Sequence, residues 1–179
     1  GATEIKIELT DSGVKEIIVT DNGIGMDEND AVLCFSRHAT SKLKTLDDLF
    51  NIESLGFRGE ALPSIASVSN TTLQTFNGEV GTEVVVKGGT IESVRNLEFP
   101  QGTKISVKNL FYNTPVRLKY LKNLYVELGN VVEYIDKMAL SDPGIIFNLL
   151  CNGKSILYTD GSGNLLKTIS RVYGIDVAK

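Results

Sequence analysis

The chain has 179 residues, 42% of them hydrophobic and 22% charged, with a formal net charge of −4 at pH 7. That length carries one sizeable core and the start of a second domain at most, and the composition is that of an ordinary soluble globular protein. The acidic balance excludes a surface that binds DNA mainly by bulk positive charge, no apolar run approaches the roughly 20 residues of a membrane helix, and no secretory leader is legible.

From the N-terminus, Ile5, Ile7 and Leu9 alternate with polar residues as in a half-buried strand, and Asp11-Ser12-Gly13 turns the chain back into a strand over residues 15–20. This second strand runs into Asp21-Asn22-Gly23-Ile24-Gly25-Met26, after which Asp27 is placed to cap a helix over residues 28–35. Strand, glycine loop and helix in that order suit a nucleotide. Asn-Gly by itself is a plain turn signal. A turn, however, does not require a carboxylate at the strand end followed by two glycines one residue apart. A carboxylate accepts hydrogen bonds, so Asp21 suits an exocyclic amine such as that of adenine, and Gly23 and Gly25 would leave room for a flat base. Neither the G-x-x-x-x-G-K-S/T phosphate loop nor the third glycine of the dinucleotide fingerprint is present.

Residues 42–55 are polar, with a short helical signal capped by Thr45 and led by Asp47 and Asp48. In Leu55-Gly56-Phe57-Arg58-Gly59-Glu60-Ala61-Leu62, two glycines bracket an arginine just before a helix start. The first N–H groups of a helix lack partners, the helix dipole is positive there, and glycine lets a phosphate come close; Arg58 would add a forked donor. An ordinary loop with a solvated Arg58 is equally open on local grounds. A helix over residues 59–67 tolerates Pro63 in its first turn. Strands follow near residues 71–76, 81–87, 90–95 and 103–108, joined at Asn77-Gly78, Gly88-Gly89 and Pro100-Gln101-Gly102. Such a run predicts an α+β fold, a mixed, mostly antiparallel sheet with helices on one face, over a doubly wound parallel one.

Thr114-Pro115 reads as a cap with proline at the first helical position, opening a short basic helix with Arg117, Lys119 and Lys122. A solvated face and a direct DNA role both fit it. Leu128, Val131, Val132, Ile135, Met138 and Ala139 then recur at helical spacing in a helix over residues 125–140, which is core packing. Ser141-Asp142-Pro143-Gly144 stops that helix, and strands over residues 145–150 and 154–158 form a hairpin around Asn152-Gly153. Asp160-Gly161-Ser162-Gly163-Asn164 is the best linker candidate. Cys34 and Cys151 lie far apart in apolar contexts and read as reduced core thiols of a cytoplasmic protein. His38 is the single histidine, a poor basis for a metal site.

Taken together, Asp21 to Gly25, Arg37-His38-Ala39-Thr40-Ser41-Lys42, Gly56 to Leu62, Gly102-Thr103 and Asn109-Leu110-Phe111-Tyr112-Asn113-Thr114-Pro115 resemble the MutL family of DNA mismatch repair proteins. More broadly they resemble the GHKL ATPase superfamily that includes gyrase B and sensor histidine kinases, whose α+β sandwich is called the Bergerat fold. The resemblance covers essentially the whole chain. It implies an ATP-binding domain over residues 1–159, then a linker and the start of a ribosomal protein S5-like domain over residues 160–179. It implies a nucleotide site with Asp21, Gly23 and Gly25 on the adenine side, Thr40, Ser41 and Lys42 in a lid, Gly56, Phe57, Arg58 and Gly59 around phosphate, and Thr103 near the phosphates. ATP and Mg²⁺ are the implied cofactors. Implied partners are a second copy of the chain, joined when ATP orders the lid, mismatch-containing DNA met mainly outside this chain, and other repair proteins such as MutS. In the family's pattern the catalytic glutamate and the Mg²⁺-binding asparagine precede the Gly-Ala-Thr that stands here as Gly1-Ala2-Thr3. The expectation is therefore ATP hydrolysis by the parent protein and none by these 179 residues unaided. The alternative is a partner-binding or DNA-clamp module that does not turn over ATP.

Overall fold

The computed structural model describes residues 1–37, 59–121 and 123–177. The predicted lid helix, His38, Thr40, Ser41, Lys42, Gly56, Phe57, Arg58 and Lys122 lie outside the described residues.

The opening hairpin pairs β1 (Glu4–Thr10) with β2 (Glu16–Asp21). Its turn takes Asp11, Ser12 and Gly13 through positive φ. Helix α1 (Glu28–Leu33) follows, capped by Asp27, whose carboxylate accepts from Asp30 N–H at 2.8 Å. Helix α2 (Ala61–Ala66) carries Pro63 in its first turn. Four strands come next: β3 (Asn70–Phe76), β4 (Gly81–Lys87), β5 (Thr90–Asn96) and β6 (Gly102–Lys108). Helix α3 (Pro115–Tyr120) and the long α4 (Leu124–Ser141) lead to β7 (Ile146–Cys151), β8 (Lys154–Tyr158) and α5 (Leu165–Tyr173). Asn152 and Gly153, both at positive φ, make the tight turn between β7 and β8 that Asn-Gly predicts.

These strands form one eight-stranded sheet in the order β5-β4-β3-β6-β2-β1-β7-β8 among the described residues. Every neighbouring pair is antiparallel except β1 with β7. A parallel pair needs a crossover, and α4 supplies it just before β7.

Register decides which face is buried, because residues opposite one another in a ladder share a face. Val19 stands opposite Ile105, Ile105 opposite Leu73, and Leu73 opposite Val84, giving one apolar row across four strands. Helices α1 and α2 cover one part of that face: Ala31 and Ala66 pack with Leu73, Val84 and Val86, all fully buried. Helix α4 covers the other part, where Ile135 and Ala139 meet Ile7, Leu9, Phe147, Leu149 and Leu157. The opposite face is polar. There Lys6 pairs with Glu8 at 3.0 Å and Lys108 with Glu16 at 3.4 Å. Glu83 accepts from Arg95 Nε at 2.6 Å and from Gln74 Nε2 at 2.7 Å. Helices on one face of a mixed sheet is the arrangement that the strand and helix patterns predict.

Helix α3 departs from expectation in its cap. Pro115 occupies the first helical position, but the Thr114 side chain makes no capping bond and its buried hydroxyl is without a partner. The Thr114 carbonyl alone receives the first turn, from Arg117 N–H at 2.9 Å. Its neighbours Asn109 and Phe111 sit at positive φ, so a tight turn delivers Thr114 with a backbone unlike that of a capping residue.

Candidate functional site

The site assembles where β2, β6 and β3 end or begin at one margin of the sheet. Asp21 closes β2 opposite Thr103, Thr103 stands opposite Thr75, and Thr75 stands opposite Thr82. Two residues along each strand from the apolar row of Val19, Ile105, Leu73 and Val84, the same face has changed to a carboxylate and three hydroxyls. Solvent does not account for this, since Thr75 and Thr82 are fully buried and Thr103 is 8% exposed.

The glycine loop is fixed both to this row and to the start of β1. Asn22 accepts at Oδ1 from the backbone N–H groups of Thr3 at 2.9 Å and Glu4 at 3.0 Å, and donates from Nδ2 to the Thr3 hydroxyl at 2.8 Å. Asp21 Oδ1 accepts from Gly23 N–H at 2.8 Å, which aims the carboxylate along the loop. Met26 N–H donates to Thr75 Oγ1 at 2.9 Å. Neither Asn22 nor Gly23 has positive φ, so Asn-Gly here is not the hairpin turn that the dipeptide often signals.

Only Gly25 of the loop glycines takes the left-handed conformation, at φ 71°. A Cβ on it would run into the Phe76 carbonyl at the end of β3. On Gly23 a Cβ would meet Asp21 Oδ1 at 2.8 Å. The bare backbone at these positions thus lets the loop lie against β3 and lets the Asp21 carboxylate fold over it. Gly102 serves the neighbouring strand in the same way: at φ 125° it presses on the Asp21 carbonyl, where no side chain would fit.

Of the sequence-predicted site residues, Asp21, Gly23, Gly25 and Thr103 come together in this arrangement. Gly59 lies just before α2 at φ 63°, consistent with a glycine required at that helix entrance. The remaining predicted members are outside the described residues. Sequence reasoning did not find Asn22, Thr75 or Met26. Thr75 is 49 residues from Met26, and only the pairing of β3 with β6 brings it to the loop.

A cleft of about 630 Å³ lies nearby, between the β3–β4 turn and the segment after β5. Phe76, Val80, Leu97 and Phe99 line it, with Glu79 and Glu98 as its charged members. It includes none of the predicted site residues, and its carboxylates would repel a phosphate. The chemistry therefore places the candidate site at Asp21 and not in this cleft.

What the Asp21 arrangement can do follows from its donors and acceptors. One carboxylate oxygen is held by Gly23 N–H, and the other is available to accept from a ligand amine. Thr103 adds a hydroxyl next to it in register.

No protein-family model matches the chain. Individual relatives do. The chain is 50% identical over 181 aligned residues to the DNA mismatch repair protein MutL of Lactococcus lactis, an alignment that takes in 100% of the chain and 28% of that protein. It is equally 50% identical, over 179 residues, to MutL of Anoxybacillus flavithermus, covering 99% of the chain and 29% of the relative. Along its whole length the chain matches MutL. It corresponds to the N-terminal part of MutL and spans less than a third of the length of these relatives. Among solved structures, the Aquifex aeolicus MutL ATPase domain complexed with ADP matches with a TM-score of 0.74 at 31% identity, over 96% of this chain and 61% of that one. An N-terminal domain of a DNA repair protein matches with a TM-score of 0.79 at 28% identity, over 97% of this chain and 53% of that one. The sheet with helices on one face is thus the GHKL ATPase sandwich of MutL ATPase domains. No helix among the described residues is long and apolar enough to cross a membrane.

Proposed function

We propose that residues 1–159 are the ATP-binding domain of a MutL-type mismatch repair protein, with the adenine held at Asp21. The observation that carries this reading is the Asp21 carboxylate at the end of β2, oriented by Gly23 N–H and set in register with Thr103 in a row where the sheet gives up apolar side chains. A charged acceptor beside a hydroxyl suits an exocyclic amine. The relative solved with ADP supports a nucleotide as ligand.

In this reading Gly23 and Gly25 shape the adenine side, Gly56, Phe57, Arg58 and Gly59 cradle phosphate, and Thr40, Ser41 and Lys42 close over it from a lid. Thr103, which the resemblance puts near the phosphates, is read instead as the wall nearest Asp21, because the two are paired in register. Mg²⁺ would neutralise phosphate charge, and hydrolysis belongs to the longer protein, the 179 residues binding nucleotide without turning it over. ATP orders the lid and draws two copies together, coupling mismatch recognition by MutS to later repair steps on DNA in the cytoplasm. Residues 160–179 carry the chain toward a ribosomal protein S5-like domain.

Asp21→Asn tests the assignment. A hydrogen bond to a charged partner is worth about 1.5–3 kcal/mol, so ADP affinity should fall by about 10- to 150-fold in calorimetric titration of the intact protein. An unchanged affinity would remove Asp21 from the adenine site.

A further inference from the structure

Thr75 makes three polar contacts from a fully buried position, and one assignment of protons turns all three into hydrogen bonds. Its Oγ1 accepts from Met26 N–H at 2.9 Å. It lies 3.1 Å from the Gly102 carbonyl, which can only accept, so in that assignment the single Thr75 proton goes there. The third contact, 3.1 Å to Thr103 Oγ1, then has one possible donor, which is Thr103. With its proton committed inward, the Thr103 hydroxyl presents lone pairs on the side it shares with Asp21.

We propose that Thr75, a residue too deeply buried for ligand to touch, sets which purine this site accepts by holding the Thr103 hydroxyl as an acceptor. The inference rests on the adenine reading of Asp21 and extends it. Asp21 and Thr103 together form a pair of acceptors. A purine with a 6-amino group brings donors to that pair directly or through a water. A 6-oxo purine brings lone pairs against lone pairs, and its exclusion needs no steric clash. Thr75 is a positioning residue. Without its oxygen the Thr103 hydroxyl is free to rotate and donate to a 6-oxo group, leaving Asp21 alone to oppose it. The same oxygen anchors Met26, so the base-reading group and the glycine loop are held by one atom.

The test is calorimetric titration of the intact protein with ADP and with inosine diphosphate, which differ at the 6-position. Wild type should favour ADP by about 100-fold, within the range for one hydrogen bond to a charged group. Thr75→Val, nearly isosteric, should reduce that preference about tenfold, and Thr75→Ser should restore it. Thr103→Val, which leaves the Thr75 contacts to Met26 and Gly102 in place, should reduce the preference by a similar factor, and the double variant no further. Equal weakening of both nucleotides in Thr75→Val would show a purely structural prop and overturn the proposal. So would a full preference retained in Thr103→Val, a result readable even if Thr75→Val fails to fold. Wild type binding neither nucleotide would instead overturn the adenine reading on which the proposal stands.

Discussion

Substituting Gly25 by alanine tests whether the glycine loop is pinned to β3, and Gly78 provides its control. Both glycines have positive φ, 71° and 98°, so alanine at either pays the backbone cost of that region, about 1–2 kcal/mol. They differ in surroundings. A Cβ on Gly78 meets nothing within 4 Å, whereas on Gly25 it would collide with the Phe76 carbonyl, part of the β3 backbone. Relief requires the loop to lift, and lifting it breaks the 2.9 Å bond from Met26 N–H to Thr75. A donor and a buried acceptor left unmatched add about 1–3 kcal/mol. Gly78→Ala should therefore cost about 1 kcal/mol and Gly25→Ala about 3 kcal/mol. For a chain of this size each 1 kcal/mol moves the midpoint by about 2–4 °C, giving about 3 °C and about 9 °C in thermal unfolding followed by circular dichroism. Equal shifts for the two variants would refute the claim that the loop rests on β3.

Other outcomes follow from the titrating groups. Burial, with Asp30 beside it, raises the Cys34 thiol from 9.0 to about 12, so at neutral pH it should carry about a thousandfold less thiolate than an ordinary cysteine and react with Ellman's reagent correspondingly slowly. Rapid modification in the folded protein would contradict its packing between α1 and the sheet. The bonds from Arg95, and secondarily from Gln74, hold the Glu83 carboxylate below its ordinary value of 4.5. A depressed folded value means that the stabilisation is present above that ordinary value and is lost as pH falls through the folded one. Glu83→Gln should thus cost about 1 kcal/mol in denaturant melts at pH 7, modest because Arg95 is largely exposed, and nothing once the pH is well below 4. A difference that persists in acid would point to packing as its cause.

Most of the architecture was legible because local signals agreed with one another. The alternation of Ile5, Ile7 and Leu9, the helical spacing from Leu128 to Ala139, and the turns at Asn152-Gly153 and Gly88-Gly89 each fix an element without help from distant residues. The cap at Thr114 misled because a capping side chain needs the right backbone, and the positive φ of Phe111 and Asn109 just upstream is not visible in Thr-Pro. Asp21 was legible as an unusual carboxylate at a strand end. Thr75 was not, since a threonine in a strand is unremarkable until sheet order places it beside Thr103.

That placement also bears on why the row exists. A sheet selected for stability alone would continue Val19, Ile105, Leu73 and Val84 with another apolar row, since a buried hydroxyl gains nothing over a methyl group unless it is bonded. Here the next row is Asp21, Thr103, Thr75 and Thr82, and the Thr82 hydroxyl is buried with no hydrogen-bond partner among the described residues. The polar row lies where the strands meet the glycine loop, whereas at the α4 end of the sheet Phe147 and Leu149 lie fully buried on the same face and the buried Thr159 hydroxyl accepts from the Phe147 N–H and donates to the Ile145 carbonyl. A break in core chemistry along β6, β3 and β4 beside Asp21 is what a binding site costs a fold. Restoring the rule should then show the trade directly. Thr82→Val removes an unpaired hydroxyl without touching the Thr75 contacts, and should leave the protein as stable as wild type or about 1 kcal/mol more so.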